Sequence, residues 1–297
     1  MTYGTDAAAT HLSNAYLHLD TGEMQPSDAS AETQTTATNR GFITRWNSLR
    51  ASREVQLFYR LHNDICNLLL YLLPDVRLRI RLTKARPSFY LMNKSVDSKN
   101  VFKFLDAQLL VRRVRSNSAT LLAHNSTLKK GSLARYKQTR FVIKTFTFAA
   151  GSKSLSIDNA VLSPIPKRLL FTMVKNTDFI GSLDSNPHKF QHYDISDFLL
   201  FVKGKRFPNE GLTLGRDHEK TSVMGYRTLF EASGIHYSNM GMQITHDMYI
   251  NCYFMLLFVL TPDMGELEGH TSNPENGSIR IELKFNKPLP EAITCLL

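Results

Sequence analysis

The feature of this sequence that most limits its possible folds is an alternating stretch at residues 276–290. Apolar residues recur there at every second position, and charged residues fill the places between them. The apolar set is Ile279, Ile281, Leu283 and Phe285, and the charged set is Arg280, Glu282 and Lys284. A two-residue period predicts a strand with one buried face and one solvated face. Asn276-Gly277 favours a turn before it, and Pro288 ends it because proline cannot donate to a ladder.

The same pattern occurs about 200 residues upstream. Apolar residues at 76, 78, 80 and 82 alternate with Arg77, Arg79 and Arg81. An apolar stretch ending in an aspartate precedes each copy, at 59–64 in the first and 258–263 in the second. Two matched pairs of strands in the same order predict one β unit that is used twice.

Composition narrows the class of protein. The three cysteines, Cys66, Cys252 and Cys295, are too few and too far apart for a disulfide framework, which predicts buried, inert thiols in a reducing compartment. The longest apolar runs are too short to cross a bilayer, and the first ten residues do not resemble a targeting segment. The net charge of +10 favours an acidic partner such as nucleic acid, although solvated faces of basic strands explain it equally well.

Most of the remaining chain reads as short strands separated by polar turns. We predict strands at 55–61, 105–114, 141–148, 168–174, 195–202 and 292–297, in addition to the alternating pairs. One helix is predicted at 118–130, with Ser118 as N-cap and Gly131 after its end. Residues 26–39 read as an exposed loop, and 151–166 as a connector of small residues. This pattern predicts an all-β sandwich or jelly roll.

Four groups of residues were considered as catalytic or metal-binding sites. Asp20-Thr21-Gly22 matches the turn of retroelement aspartic proteases, but Glu23 follows where a small residue is expected, which favours an ordinary turn. His188 and His192 have a metal-ligand spacing only on a helix, and the sequence around them is typical of a loop or strand. His62 and Asp64 lack a nucleophile nearby. Gly204-Lys205 lacks the upstream glycine of a phosphate loop and reads as a hairpin turn.

We therefore predict no catalytic, cofactor-binding or metal-binding residues, and no cofactor.

Several segments together resemble a known family of shell proteins. They are RLHND at 60–64, LLPDVRLRI at 72–80, LLAH at 121–124, PKR at 166–168, FQHYD at 190–194, VKG at 202–204 with Pro208, LTPD at 260–263 and NGSIRIELKF at 276–285. With these segments the chain resembles the hexon-like, double jelly-roll major capsid protein of Polinton/Maverick elements and adintoviruses. Tyr59, Pro74-Asp75 and Asn251 depart from the glycine or Asn-Gly usual in that family.

The resemblance implies a fold and a function. It implies an all-β double jelly roll, made of two antiparallel sandwiches side by side, that forms a pseudo-hexagonal homotrimer. The trimers would then tile a capsid lattice around DNA, with non-specific contacts to the packaged DNA. The location implied is the virion and, in the host cell, a reducing compartment such as the nucleus. No enzymatic activity and no membrane contact are implied.

The expected domains follow from the repeat. Residues 1–153 would form a first jelly roll with the 118–130 helix, residues 154–165 a connector, and residues 166–297 a second roll. The first roll is about 34 residues shorter than the second ahead of its alternating strand, and residue 297 falls within an apparent strand. We therefore expect a chain truncated at both ends, with an incomplete first roll.

Two other functions remain open at this stage. The first alternative is a basic β-sandwich that binds nucleic acid as a monomer. The second is a hydrolase, for which the sequence provides no convergent polar residues.

Overall fold

A computed structural model gives the fold of this chain. It describes residues 10–18, 40–74, 76–92, 100–136, 138–214, 223–236, 238–239, 241–261 and 273–297. The chain divides into two units. The sandwich unit comprises Met1–Tyr59, Ala85–Ser98 and Ile143–Leu297, and the basic unit, named for its charge, comprises Arg60–Lys84 and Lys99–Val142.

All the strands that the described residues form belong to the sandwich unit. They are β1 (Thr145–Phe148), β2 (Ser154–Leu162), β3 (Arg168–Lys175), β4 (Ile195–Val202), β5 (Lys205–Thr213), β6 (Met255–Val259), β7 (Ser278–Phe285) and β8 (Ile293–Leu296). The helices are α1 (Arg40–Leu49), α2 (Asp64–Asn67), α3 (Ser118–Lys129), α4 (Asn176–Ile180), α5 (Val223–Ser233) and α6 (His246–Asn251). None of the helices in the described part of the chain is long and apolar enough to span a membrane.

The strands form two antiparallel four-stranded sheets. Their orders are β1-β8-β3-β6 and β2-β7-β4-β5. The first strand therefore pairs with the eighth, the second with the seventh, the third with the sixth and the fourth with the fifth. This is the connectivity of a long hairpin rolled into two layers, the strand order of one eight-stranded jelly roll. The prediction of an all-β sandwich is confirmed at this level.

The core lies between the two sheets. The ring centroids of Phe171 on β3 and Phe198 on β4 are 5.0 Å apart, and Phe258 on β6 stacks on Phe198 at 5.4 Å. Aromatic pairs at this separation add to the free energy gained by burying their apolar surface. These three rings therefore join the two layers directly.

Strand β7 confirms the alternation that was read from the sequence. Its four apolar residues are buried, and Arg280 and Lys284 on the other face are exposed. Ile281 is fully buried and lies in register with Ile157 on β2 and Leu200 on β4. The strands predicted at 168–174, 195–202 and 292–297 correspond to β3, β4 and β8. The predicted turn at Gly204 joins β4 to β5, with φ of +76°.

Helix α5 packs against the edge of the first sheet. Its buried residues are Gly225, Thr228, Leu229 and Ala232, which recur with helical spacing. The Leu257 amide on the edge strand β6 donates to the Thr228 hydroxyl at 3.2 Å. The sequence analysis missed this helix because its buried face consists mostly of small residues.

The upstream copy of the alternating pattern does not form a strand. Residues 76–82 have no regular secondary structure, and both their arginines and their apolar residues are exposed, Val76 to 50% and Leu82 to 79%. The strands predicted at 55–61 and 105–114 are likewise wrong for the described chain. A two-residue period shows which side chains share a face, but a strand also needs a neighbour to complete its ladder.

The boundaries also differ from the expected division at 154–165. Most of that segment is strand β2, and β1 at the end of the expected first roll pairs with β8. The predicted helix at 118–130 is present as α3, but its N-cap is Asn117, whose side chain accepts from the Ala119 amide, and not Ser118. Ser118 is the first helical residue instead. The loop expected at 26–39 lies outside the described residues.

Candidate nucleic-acid interface

The positive charge of the chain is concentrated in the basic unit. Its two segments hold 15 Lys and Arg residues against 3 Asp and Glu residues. The rest of the chain holds 21 basic and 23 acidic residues, so the sandwich unit has no net positive charge. Whole-chain composition hides this division, which a count of charge along the sequence would have found.

The basic side chains that the structure describes in this unit are open to solvent. Nine of the 15 are arginines. Twelve of the described residues are exposed and form no ion pair with any other described residue: Arg60, Arg77, Arg79, Arg81, Lys103, Arg112, Arg113, Arg115, Lys129, Lys130, Arg135 and Arg140. Lys84 is also exposed and donates to the Phe102 carbonyl. The guanidinium groups are therefore available to an external anion.

The two acids of the basic unit that the structure describes, Asp64 and Asp106, are used locally. The Asp64 carboxylate accepts from the Thr139 amide, and the Asp106 carboxylate accepts from the Gln108 side chain at 3.0 Å. Neither acid neutralises a basic side chain. The unit consequently keeps an excess of positive charge at its surface.

Hydrogen bonds from a few polar residues hold the backbone of this unit. The Tyr136 hydroxyl donates to the Tyr71 carbonyl and accepts from the Leu73 amide, both at 3.1 Å. The Asn63 side chain caps α2 by accepting from the Ile65 amide. These contacts place backbone segments of the unit together while leaving its basic side chains outside.

Several charged side chains of the sandwich unit, by contrast, pair with one another. Lys175 lies 2.7 Å from Glu291, and the hydrogen bond to that carboxylate raises the pKa of the lysine. Arg280 on β7 bridges Asp158, at 3.0 Å, and Glu282. With positive and negative side chains interspersed and paired, this surface does not offer a strong field of either sign.

Among the described residues, those considered earlier for catalysis or metal binding make separate local contacts. His192 accepts from the Asp194 amide at 3.0 Å and stacks edge-on against Phe254, whereas His188 lies beside Phe190. Asp64 begins α2, and its carboxylate is used by the backbone. Within the described ranges no cluster of three His, Cys, Asp or Glu residues could hold a metal ion. Asp20-Thr21-Gly22 lies outside the described residues.

Ionisable groups buried in the sandwich are held neutral by their surroundings. Burial raises the pKa of the Cys295 thiol to about 12 and raises the pKa of the Tyr193 and Tyr249 hydroxyls. A thiol with such a pKa is a poor nucleophile at neutral pH. Cys66 is exposed, so the expectation that all three thiols are buried is wrong for this residue.

The edges of the sandwich are closed by several means. Thr228 of α5 accepts a hydrogen bond from β6, Pro208 interrupts the donors of β5, and a bulge between Ile157 and Val161 distorts β2. The fourth edge strand, β1, has only four residues. Such features reduce the tendency of exposed edge strands to pair with strands of other molecules.

Comparison of this chain with protein-family models, with curated proteins and with solved structures finds no match.

Proposed function

We propose that this chain is a structural shell subunit of a Polinton-like transposon or virus, forming trimeric, pseudo-hexagonal capsomers around DNA. The proposal assigns no enzymatic activity and no cofactor to the chain. The observation that carries it is the strand order of the sandwich, in which eight antiparallel strands pair as in a rolled-up hairpin. The resemblance of the sequence to double jelly-roll capsid proteins adds the class of assembly.

The shape of the sandwich suits association between like subunits. Its four edge strands are covered, interrupted, bulged or short, so its broad faces and connecting loops are left for contact. Contacts of this kind can close into symmetric oligomers, whereas open strand edges extend without limit. A shell requires the first kind of contact.

The proposal extends to a second jelly roll built from residues that precede strand β1 in the chain. The apolar residues Val76, Leu78 and Ile80 are exposed in the described chain, and apolar residues alternating in this way are suited to a sheet face. In the assembled form these residues would gain ladder partners and a covering layer. Amide hydrogen exchange tests this step: residues 76–82 should exchange slowly in the trimer and rapidly in the monomer.

Size in solution tests the shell function itself. The monomer has a mass of 33.8 kDa, and light scattering coupled to size-exclusion chromatography should give three times this mass or more. Electron microscopy of the same fraction should show pseudo-hexagonal particles. A monomer at all accessible concentrations would contradict the proposal.

A second candidate function is a monomeric nucleic-acid-binding protein. The observation that favours it is the set of twelve described basic side chains of the basic unit that are exposed and form no ion pair with a described residue. Because the sandwich unit has no net positive charge, this activity would belong to the basic unit and not to a basic β-sandwich as such. A monomer that binds DNA tightly and never assembles would favour this candidate over the shell.

A further inference from the structure

We infer that the basic unit is the nucleic-acid-binding part of this chain and that it contacts phosphates without reading sequence. The sandwich unit is then left for contacts between subunits. The inference rests on the proposed function only for the source of the nucleic acid, which would be the packaged genome. The contact itself follows from charge and exposure.

Charge complementarity is the first argument. The unit places 15 basic residues and 3 acidic residues in two segments, and its described basic side chains are exposed. Guanidinium groups bind phosphate oxygens through two parallel hydrogen bonds, and most of these side chains are arginines. A nucleic-acid backbone can neutralise many such groups at once, because it carries one negative charge per nucleotide and releases counterions on binding.

The spacing of the arginines is the second argument. Arg77, Arg79 and Arg81 occupy alternate positions within five exposed residues. Phosphates follow one another closely along a nucleic-acid strand, so neighbouring arginines of this segment can contact neighbouring phosphates. A second group, Arg112, Arg113 and Arg115, is similarly dense and exposed.

Exposed aromatic residues beside basic ones give a third argument. Phe104 follows Lys103 and is 62% exposed, and Phe141 follows Arg140 and is 85% exposed. Aromatic rings next to cationic side chains are typical of surfaces on which unpaired bases stack. The unit therefore suits single strands as well as duplexes.

A second copy of the chain does not offer a matching partner for this charge. Residues 143–297 carry 15 basic and 16 acidic residues, and several of these pair with each other. Two basic units would repel one another. The partner must bring its own dense negative charge, as nucleic acid does.

Two triple variants and a matched control test the inference in the full chain. The first variant is Arg77→Gln, Arg79→Gln and Arg81→Gln, and the second replaces the arginines at 112, 113 and 115 in the same way. The control is Lys153→Gln, Lys205→Gln and Lys284→Gln, which removes the same charge from exposed positions of the sandwich. Binding to a short duplex of mixed sequence and to oligothymidine is measured over a series of salt concentrations.

Each arginine triple should weaken duplex binding much more than the control does. Three lost phosphate contacts reduce the slope of log affinity against log salt by up to about 2.7, which is up to about 100-fold in affinity near 0.15 M salt. Equal weakening by the control would overturn the inference, because the effect would then follow net charge alone. Unchanged binding in both triples would also overturn it, as would binding to phosphatidylserine vesicles without binding to DNA.

Folding and assembly are followed in the same samples. The substituted side chains are exposed, so the melting temperatures should stay at the wild-type value. If a Gln triple melts early, the three single Arg→Gln variants replace it, and each should reduce the salt slope by up to about 0.9. Unchanged slopes in all three single variants would overturn the inference.

The oligomeric state separates this inference from the proposed function. Trimers that form normally but do not bind DNA would sustain the shell and overturn the inference. A monomer whose DNA binding is lost in the arginine triples would sustain the inference and overturn the shell.

Discussion

Replacing Ile281 by alanine would test how the sandwich core is built. Ile281 is fully buried on β7 and is flanked by β2 on one side and β4 on the other. Truncation of a buried isoleucine loses transfer free energy and leaves a cavity, at a cost of about 2–5 kcal/mol. Because neighbouring strands on both sides restrict collapse around the site, we expect about 4 kcal/mol. That is a large part of the roughly 5–15 kcal/mol by which folded domains are stable.

Urea unfolding followed by circular dichroism measures this difference. The control is Lys284→Ala on the exposed face of the same strand, which should change the free energy of unfolding by no more than about 0.5 kcal/mol. In thermal melts the Ile281 variant should unfold about 8–16 °C below the wild type. If both variants unfold at the same urea concentration, the assignment of the buried face of β7 is wrong.

Three further predictions concern the helix on the sheet edge and a buried thiol. Gly225→Ala should lower the melting temperature of the sandwich, because a Cβ there would lie 2.7 Å from the Tyr249 hydroxyl. That hydroxyl is held in place by its hydrogen bond to the Met255 carbonyl. An unchanged or higher melting temperature would show that the Tyr249 side chain moves to make room. Thr228→Val removes the acceptor for the Leu257 amide and should lower the free energy of unfolding by about 1–2 kcal/mol. Hydrogen exchange of the Leu257 amide should become faster, and unaltered exchange would contradict the contact. Burial raises the pKa of Cys295 from 9.0 to about 12, so the folded state keeps a proton that the unfolded chain loses and stability should fall as pH rises from 9 to 12. In Cys295→Ala this part of the alkaline decline should be absent when unfolding is measured across that range, and an identical decline would refute the assignment.

The two alternating segments show that a local sequence pattern does not determine whether a strand forms. Residues 279–285 and 76–82 have the same two-residue period and similar flanking turns. The first forms the central strand β7, with its apolar residues buried, and the second is exposed on both faces. Local pattern sets which side chains share a face, but β2 and β4 provide the ladders of β7 from more than 70 residues away. Comparable partners for 76–82 are not present among the described residues.

The charge of the candidate interface was visible in the sequence as a total and not as a location. A net charge of +10 indicated an acidic partner, and it fitted solvated strand faces equally well. The division into units places that charge in the basic unit, where twelve described basic side chains are exposed and form no ion pair with a described residue. Exposure and pairing depend on which segments pack together, so composition alone does not decide between the two interpretations.

By itself the sequence determined strands β3, β4, β7 and β8, the facing of β7, the turn at Gly204 and the presence of α3, because each depends on neighbours a few residues apart. Strand β5 was not predicted, because its sequence is mostly polar. Only the tertiary structure decided that β2 occupies the supposed connector, that α5 covers the edge of β6 through Thr228, and that the eight strands pair from the outside inwards. These features depend on contacts between distant segments. Their free energy comes from burying apolar surface and from pairing strands. Both depend on which distant segments meet, and a local pattern of residues does not specify that.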